Sequence, residues 1–160
     1  MTGMETREED YVEHLFSATT HDTMLIFTNK GMLYWLKVYS VPEASRIAKG
    51  ISIANLINTS PADKITSMIT VREFDDKHSI VMATEKGTVK KTNLSLFSNI
   101  RKKGIIAINI REDDHLMAAT LTDGNNDIFM ATSDGYAIRF NEKEVSEMGR
   151  SATGVRGVTL

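Results

Sequence analysis

The chain of 160 residues contains no cysteine, only two prolines and one tryptophan, and no long uninterrupted apolar run. Without cysteine the protein can form neither a disulfide nor a thiolate metal site. The lack of about 18 consecutive apolar residues excludes a transmembrane helix of ordinary length. The acidic, polar start of the chain also lacks the regions of a secretory signal peptide. We therefore expect a cytoplasmic protein with no metal site and no membrane partner.

What the chain does contain is a globular composition with unevenly distributed charge. Hydrophobic residues make up 41% and charged residues 25%, which is typical of a soluble domain. The formal net charge of −2 hides a segregation, because acidic clusters at 5–13, 73–76 and 112–114 alternate with basic stretches. Since local fields rather than net charge attract a polyanion, the basic stretches are candidate binding surfaces.

Three stretches of the sequence share one pattern, an apolar run, a short polar turn that closes on glycine, and a second apolar run. They cover residues 24–37, 80–91 and 128–139, with the turn glycines at Gly31, Gly87 and Gly135. This pattern predicts a β-hairpin, and the glycine supplies the positive φ that a tight turn needs. Recurrence at about fifty residues is typical of a repeat architecture such as a propeller.

Each predicted hairpin has similar neighbours in the sequence. A strand precedes it, at residues 14–19, 65–71 and 115–120, and a basic loop that closes on glycine follows it, at 46–50, 101–104 and 154–157. With a further strand after each basic loop, the repeat contains four strands, as in a propeller blade. The prediction is an all-β chain of three units, residues 1–50, 51–103 and 104–154, with 155–160 beginning a fourth.

Three units are fewer than the four to eight blades with which propellers close. We therefore expect the chain to be a piece of a longer protein, with its terminal blade faces exposed. Such faces bury their apolar surface only against neighbours, so we also expect self-association at high concentration.

Several strings of the sequence resemble the C-terminal domain of the DNA gyrase A subunit. They are KVYSVPEASR at 37–46, GTVKKT at 87–92 and TGVRGV at 153–158, and the resemblance runs from about residue 9 to the end. It implies a β-pinwheel, a six-bladed propeller variant in which neighbouring blades exchange a strand; about three blades would be present here. It also implies a domain that binds, bends and wraps duplex DNA around its outer rim.

By the same resemblance the domain carries no catalytic residue and no cofactor. Its partners would be duplex DNA, the gyrase B subunit, and the remainder of the gyrase A subunit, in the cytoplasm and associated with the nucleoid. Those other parts of the holoenzyme would use ATP and magnesium for negative supercoiling.

The sequence departs from the gyrase pattern in one respect. The family's box rich in glutamine, arginine and glycine, which by register would precede Met1, is absent, and residues 46–50 are only a degenerate echo of it. We therefore expect weak DNA binding and an incomplete wrap. The related C-terminal domain of topoisomerase IV is one alternative, and a propeller scaffold that binds protein is another.

A surface that wraps DNA of any sequence should contact phosphates and read few bases. We expect phosphate contacts from Lys30, Lys37, Arg46, Lys49, Lys86, Lys90, Lys91, Arg101, Lys102, Lys103, Arg139 and Arg156, with Arg150 in the group of the third unit. The alternative role for any single lysine is to block pairing at an exposed strand edge.

Overall fold

The computed structural model describes residues 11–157, and within them it contains ten β-strands and four short 3-10 helices. The strands are β1 (Thr23–Thr28), β2 (Met32–Lys37), β3 (Ile65–Val71), β4 (Ser79–Thr84), β5 (Thr88–Asn93), β6 (Ile105–Ile106), β7 (Leu116–Thr122), β8 (Asp127–Ala131), β9 (Ala137–Asn141) and β10 (Val155–Arg156). The 3-10 helices are Val38–Ser40, Ile53–Asn55, Leu94–Phe97 and Glu142–Glu144. No helix in this described part is long and apolar enough to cross a membrane.

All three predicted hairpins are confirmed, as the antiparallel pairs β1–β2, β4–β5 and β8–β9. Their turn glycines have φ values of 77°, 77° and 85°, in the left-handed region that favours glycine. At Gly31 a Cβ atom would also lie only 2.5 Å from the carbonyl oxygen of Ile108. Glycine is therefore required there for space as well as for backbone conformation.

Two four-stranded sheets are built by the same rule. The first has the strand order β3-β1-β2-β6 and the second β7-β4-β5-β10. In each sheet a hairpin forms the centre. The two edge strands come from either side of the next hairpin in the sequence: the long strand before it joins one edge, and the two-residue strand after it joins the other. Each sheet thus takes strands from three of the predicted sequence units. The four-stranded all-β fold is confirmed, and the unit boundaries at 1–50, 51–103 and 104–154 stay a prediction.

The main hydrophobic core lies between these two sheets. It includes the fully buried Leu25, Phe27 and Leu33 of the first sheet with Ile80 and Met82 of the second. The edge strands β3 and β7 contact each other, and the amide of Ala119 donates to the Ser67 hydroxyl at 2.9 Å. Each fully buried aliphatic or aromatic side chain contributes roughly 1.5–3 kcal/mol, so this interface holds the sheets together.

Two predicted strands, one before the first hairpin and one after the first basic loop, are wrong. Residues 14–19 and the residues after Gly50 are not strands, although their copies β3, β7, β6 and β10 are. The sheet topology explains the difference. Strands β3 and β6 flank the second hairpin in the sequence but pair with the first, and β7 and β10 flank the third hairpin but pair with the second. No hairpin precedes β1 among residues 11–157, so these segments have no strand to pair with.

Candidate nucleic-acid interface

The three basic loops occupy equivalent places in the order of elements. The third, predicted at 154–157 with its end at Gly157, instead runs past Arg150 and ends at Gly154, because residues 155–156 form β10. Each follows a hairpin and its 3-10 helix, and each ends on a glycine of positive φ, 70° at Gly50, 71° at Gly104 and 105° at Gly154. The second and third loops lead into β6 and β10. Because β3 and β7 contact each other and β6 and β10 lie at the opposite edges of their sheets, the second and third loops run along the outer edges.

Close backbone contact fixes the second and third loops against the sheets. A Cβ atom at Gly104 would lie 2.7 Å from Cε1 of Tyr34, and one at Gly154 would lie 2.6 Å from the carbonyl oxygen of Val89. Side chains larger than hydrogen are excluded at these distances. The basic residues just before each glycine are therefore held at defined positions beside β2 and β5.

A cleft of about 420 Å³ brings together arginines from the two loops. Arg101 and Arg150 line it with Gly104 and Ser151, and the remaining lining residues are Met32, Ile105 and Ile106. No carboxylate is among them. A guanidinium group presents several N–H donors in a planar fork that matches phosphate oxygens. The sequence prediction places Arg101 in the second unit and Arg150 in the third, and it does not bring them together. The repeat pattern could have done so, because equivalent loops of successive repeats lie along neighbouring sheet edges.

Six of the predicted residues are exposed side chains in or next to the basic loops, and we call them the loop cations. They are Arg46, Lys49, Arg101, Lys102, Lys103 and Arg156. Within the described part of the chain none of them forms an ion pair. Their charge is therefore free to attract an anion from solution.

Three other predicted residues have side-chain partners, and a fourth, Lys86, has a carboxylate beside its backbone. Lys30 forms an ion pair of 2.8 Å with Asp63, and Arg139 lies 3.5 Å from Asp127. Lys37 donates a 2.7 Å hydrogen bond to the Thr23 hydroxyl. The amide of Lys86 donates to the Asp114 carboxylate at 2.9 Å. The hairpin turns with Lys30 and Lys86 therefore have carboxylates beside them, and their local charge is close to balanced.

The remaining two predicted residues, Lys90 and Lys91, need a correction. Lys90 is fully buried, and its ammonium donates to the carbonyl oxygens of Ala107, at 2.7 Å, and Arg150. Lys91 is 8% exposed and donates to the carbonyl oxygen of Glu142 at 2.7 Å. Successive side chains of a strand point to opposite faces, and both faces of β5 are covered. Neither ammonium has a surface that a phosphate can reach.

Burial also changes the acid–base chemistry of Lys90. Desolvation, with a smaller contribution from the nearby positive charge of Arg150, lowers the pKa of Lys90 from 10.5 to about 8. A lysine held in this way is a structural support beneath the cleft, since its hydrogen bond fixes the backbone of Arg150.

The sequence matches a known family model along most of its length. The family is described as "DNA gyrase C-terminal domain, beta-propeller", and three copies match residues 22–72, 78–123 and 126–160. The first copy runs from the hairpin β1–β2 to the end of β3, and the second runs from the hairpin β4–β5 to the end of β7. Each of these two family repeats thus contains the central hairpin and the long edge strand of one sheet, and the short edge strand comes from the next repeat.

Curated relatives and solved structures agree with the family match. The DNA gyrase A subunit of Clostridium acetobutylicum is 48% identical over 97% of this chain, and that of Salmonella typhimurium is 46% identical over 96%. This chain covers only 19% and 18% of those proteins.

Among solved structures, the C-terminal domain of DNA topoisomerase IV has a TM-score of 0.81 and 36% identity, covering 88% of this chain and 44% of that one. A DNA gyrase A C-terminal domain has a TM-score of 0.72 and 20% identity, covering 99% and 53%, a likeness that shows the fold.

Proposed function

Because this chain belongs to the family of DNA gyrase C-terminal propeller domains, we propose that it binds duplex DNA and bends it along the outer edges of its sheets. The binding is to phosphates and does not depend on base sequence. The observation that carries this proposal is the pair of equivalent basic loops along the outer edges of the two sheets, with the arginine cleft between them.

The electrostatics of the outer edge support this proposal. Neutralising phosphates releases the counterions condensed on DNA, so exposed cations without protein partners contribute to affinity. The loop cations meet this condition, whereas Lys30 is already paired with Asp63. No recognition helix is present among residues 11–157, which favours contacts with the DNA backbone over reading of base edges.

A curved DNA path follows from the arrangement of the loops. Successive loops lie at the outer edges of sheets that pack face to face, and consecutive sheets of a propeller are rotated about a common axis. DNA that contacts loops of successive sheets must therefore bend. Residues 1–50, 51–103 and 104–154 would each supply one loop to this path.

The chain spans about a fifth of the curated gyrase proteins that it matches. We propose that it is the non-catalytic DNA-wrapping part of such a protein, working with the rest of that polypeptide and with the gyrase B subunit. ATP hydrolysis and strand cleavage would take place in those other parts, in the cytoplasm and on the chromosome. The likeness to a topoisomerase IV domain at 36% identity makes the corresponding part of that enzyme the second candidate.

DNA bending is tested directly with a short duplex labelled at its two ends with a fluorescent donor and acceptor. Saturating protein should raise energy transfer, and duplexes of unrelated sequence should respond alike. Binding without a change in end-to-end distance would contradict the bending proposal, and a response confined to one sequence would contradict the phosphate mechanism.

A further inference from the structure

One aliphatic side chain of the arginine cleft is open to solvent. Ile106, the second residue of β6, is 50% exposed and lines the cleft together with Arg101 and Arg150. The neighbouring Ile105 is buried in the core between the two sheets. Ile106 is thus an apolar side chain at the outer edge of a sheet, in a cleft whose lining residues include two guanidinium groups and no carboxylate.

The backbone on both sides of Ile106 is held in place. Two residues before it, Gly104 packs so closely that a Cβ atom there would lie 2.7 Å from a carbon of a tyrosine ring. One residue after it, the amide of Ala107 donates to the carbonyl oxygen of Gly31 at 2.8 Å, and its carbonyl oxygen accepts from the ammonium of Lys90 at 2.7 Å. The side chain of Ile106 therefore extends from a rigid support.

The second sheet shows what kind of position Ile106 occupies. In the first sheet Ile106 pairs with Met32. At the equivalent place in the second sheet, Arg156 pairs with Thr88. Arg156 is one of the loop cations and is exposed. Ile106 therefore occupies, in the first sheet, the place at which the second sheet presents an exposed cation.

The same equivalence shows that a sheet packed before the first one would leave Ile106 accessible. Cross-strand partners share a face with residues two positions along, so Arg156 lies on the face of the second sheet that carries Thr88 and Lys90. That face is turned toward the first sheet, because Lys90 reaches Ala107 after β6. Arg156 is exposed although the first sheet is in place before it. The side chain of Ile106 would stay in solvent in the same way.

Duplex DNA has one surface that matches an aliphatic side chain beside two guanidinium groups. The walls of the minor groove are deoxyribose rings with apolar C–H groups, and phosphates border them. This groove is about 6 Å wide, which is enough for single side chains. In the major groove the apolar group is the thymine methyl, so a contact there would depend on sequence. The chemistry of the cleft therefore favours the minor groove.

Bending of the DNA favours the same groove. DNA that curves toward the sheets narrows the groove that faces them, and a narrow minor groove has an enhanced negative potential that attracts guanidinium groups. Arginines that enter an inward-facing minor groove bind DNA without base-specific contacts. The attraction of Arg101 and Arg150 for the DNA would therefore increase as the duplex bends around the outer edges.

We propose that DNA presents its minor groove to the arginine cleft and that Ile106 packs there against deoxyribose. This inference rests on the proposed function, because it requires that the outer edges bind duplex DNA. Arg101 and Arg150 supply the attraction to the phosphates on either side of the groove. Ile106 adds affinity through apolar burial and determines which groove faces the protein at this point.

Salt titration distinguishes a contact with sugar from a contact with phosphate. Ile106→Ala should lower the affinity of the 160-residue chain for a short duplex about fivefold at every salt concentration, because apolar burial is lost. The slope of log affinity against log salt should stay the same, whereas Arg150→Ala should reduce its magnitude by about 1. Ile106 is half exposed, so the fold should survive its truncation.

The matched control is Leu96→Ala, at an aliphatic side chain 47% exposed on the 3-10 helix Leu94–Phe97. It should bind DNA as the unmodified chain does. Unchanged affinity of Ile106→Ala, an equal loss with Leu96→Ala, or a reduced salt slope of Ile106→Ala would each overturn the contact between Ile106 and sugar.

Duplexes with one groove blocked test which groove faces the cleft. One duplex carries N2-benzylguanine at its G·C pairs, which fills the minor groove. A second carries glucosylated 5-hydroxymethylcytosine at the same pairs, which fills the major groove, and both additions are uncharged. We expect the first duplex to bind at least about tenfold more weakly than the unmodified duplex, and the second to bind within about twofold of it.

The outcomes of this experiment separate the two proposals. Equal affinities for the two modified duplexes, or a loss confined to the second, would overturn the minor-groove assignment and leave DNA binding intact. If the unmodified duplex does not bind at low salt, the proposed function itself fails, and the inference about Ile106 fails with it.

Discussion

The buried ammonium of Lys90 donates a 2.7 Å hydrogen bond to the carbonyl oxygen of Ala107, which follows β6 at the edge of the other sheet. A second hydrogen bond from the same nitrogen reaches the carbonyl oxygen of Arg150. One side chain of β5 therefore joins the two sheets and holds the backbone of an arginine that lines the cleft. This relationship predicts how stability depends on pH.

The free energy of unfolding should rise with pH between about 8 and 10 because of Lys90. Its pKa is about 8 in the folded protein and 10.5 as its ordinary value, so the unfolded chain binds more protons in this window. Raising the pH from about 7.5 to about 9.5 should contribute about 2 kcal/mol. The neutral amine keeps two N–H donors for its two carbonyl partners. Above pH 10 the raised pKa of Tyr34, caused mainly by burial, acts in the opposite direction.

Urea unfolding followed by fluorescence of Trp35, the single tryptophan, measures this effect. Lys90→Met keeps a similar volume but leaves two buried carbonyl groups without their donor, so it should cost roughly 1–3 kcal/mol at neutral pH. The contribution of Lys90 to the pH dependence should disappear in this variant. An identical rise with pH in both proteins would show that another group is responsible.

Two glycine substitutions should differ in cost although their backbone conformations agree. Gly104→Ala places a methyl group 2.7 Å from Tyr34 and 2.9 Å from the carbonyl oxygen of Leu33, and its φ is 71°. We expect a loss of more than about 2 kcal/mol from strain and overpacking together. The methyl group of Gly50→Ala meets no atom within 4 Å, so only the positive φ costs stability, about 1 kcal/mol. Equal losses on thermal unfolding would contradict the close packing of the second basic loop.

Charge reversal in the second basic loop should weaken DNA binding without unfolding the chain. The variant Arg101→Glu, Lys102→Glu, Lys103→Glu changes three exposed side chains and should lower affinity for a short duplex at least about tenfold. The matched control Lys30→Glu, Lys77→Glu, Lys86→Glu changes the net charge equally. Its three residues lie at turns beside carboxylates, and the amide of Lys77 donates to Asp75 as that of Lys86 does to Asp114. Fluorescence anisotropy measures both. Equal weakening would assign the binding to overall charge, and the loops would lose their special role.

Salt should weaken binding steeply if phosphates provide the affinity. If about six phosphates are neutralised, the logarithm of the association constant should fall against the logarithm of salt concentration with a slope near −5. The triple reversal at 101–103 should reduce that slope by about 3. A flat salt response of the unmodified chain is incompatible with the proposed interface.

Local patterns in the sequence predicted the repeated elements well. The glycine of each hairpin turn, the apolar runs on both sides and the glycines that end the first two basic loops are set by neighbouring residues, and the structure has a hairpin or a positive φ at each. In the third loop the positive φ is at Gly154 and not at the predicted Gly157. The four-stranded fold and the relation to gyrase followed from their recurrence. Such features depend on backbone conformation over a few residues, which a short stretch of sequence specifies.

Burial of the two adjacent lysines was not predictable in the same way. The sequence around Lys90 and Lys91 looks like a basic edge strand, because nothing local indicates that both faces of β5 are covered. Only long-range packing covers those faces, which places Lys90 against Ala107 after β6 and Lys91 against Glu142 after the third hairpin. The strand predicted at 14–19 failed for a related reason, since a strand needs a partner, and the one required by the sheet rule is not supplied within residues 11–157.

The exchanged strands also set the point during synthesis at which each sheet can be completed. Leu33 cannot meet Ile105 until the entire second hairpin has been synthesised, and Val89 must wait in the same way for Val155. Each sheet is therefore finished one hairpin late, and its outer edge stays open during translation. A nascent chain of this kind exposes an unprotected edge that chaperones or neighbouring nascent chains on the same message can reach.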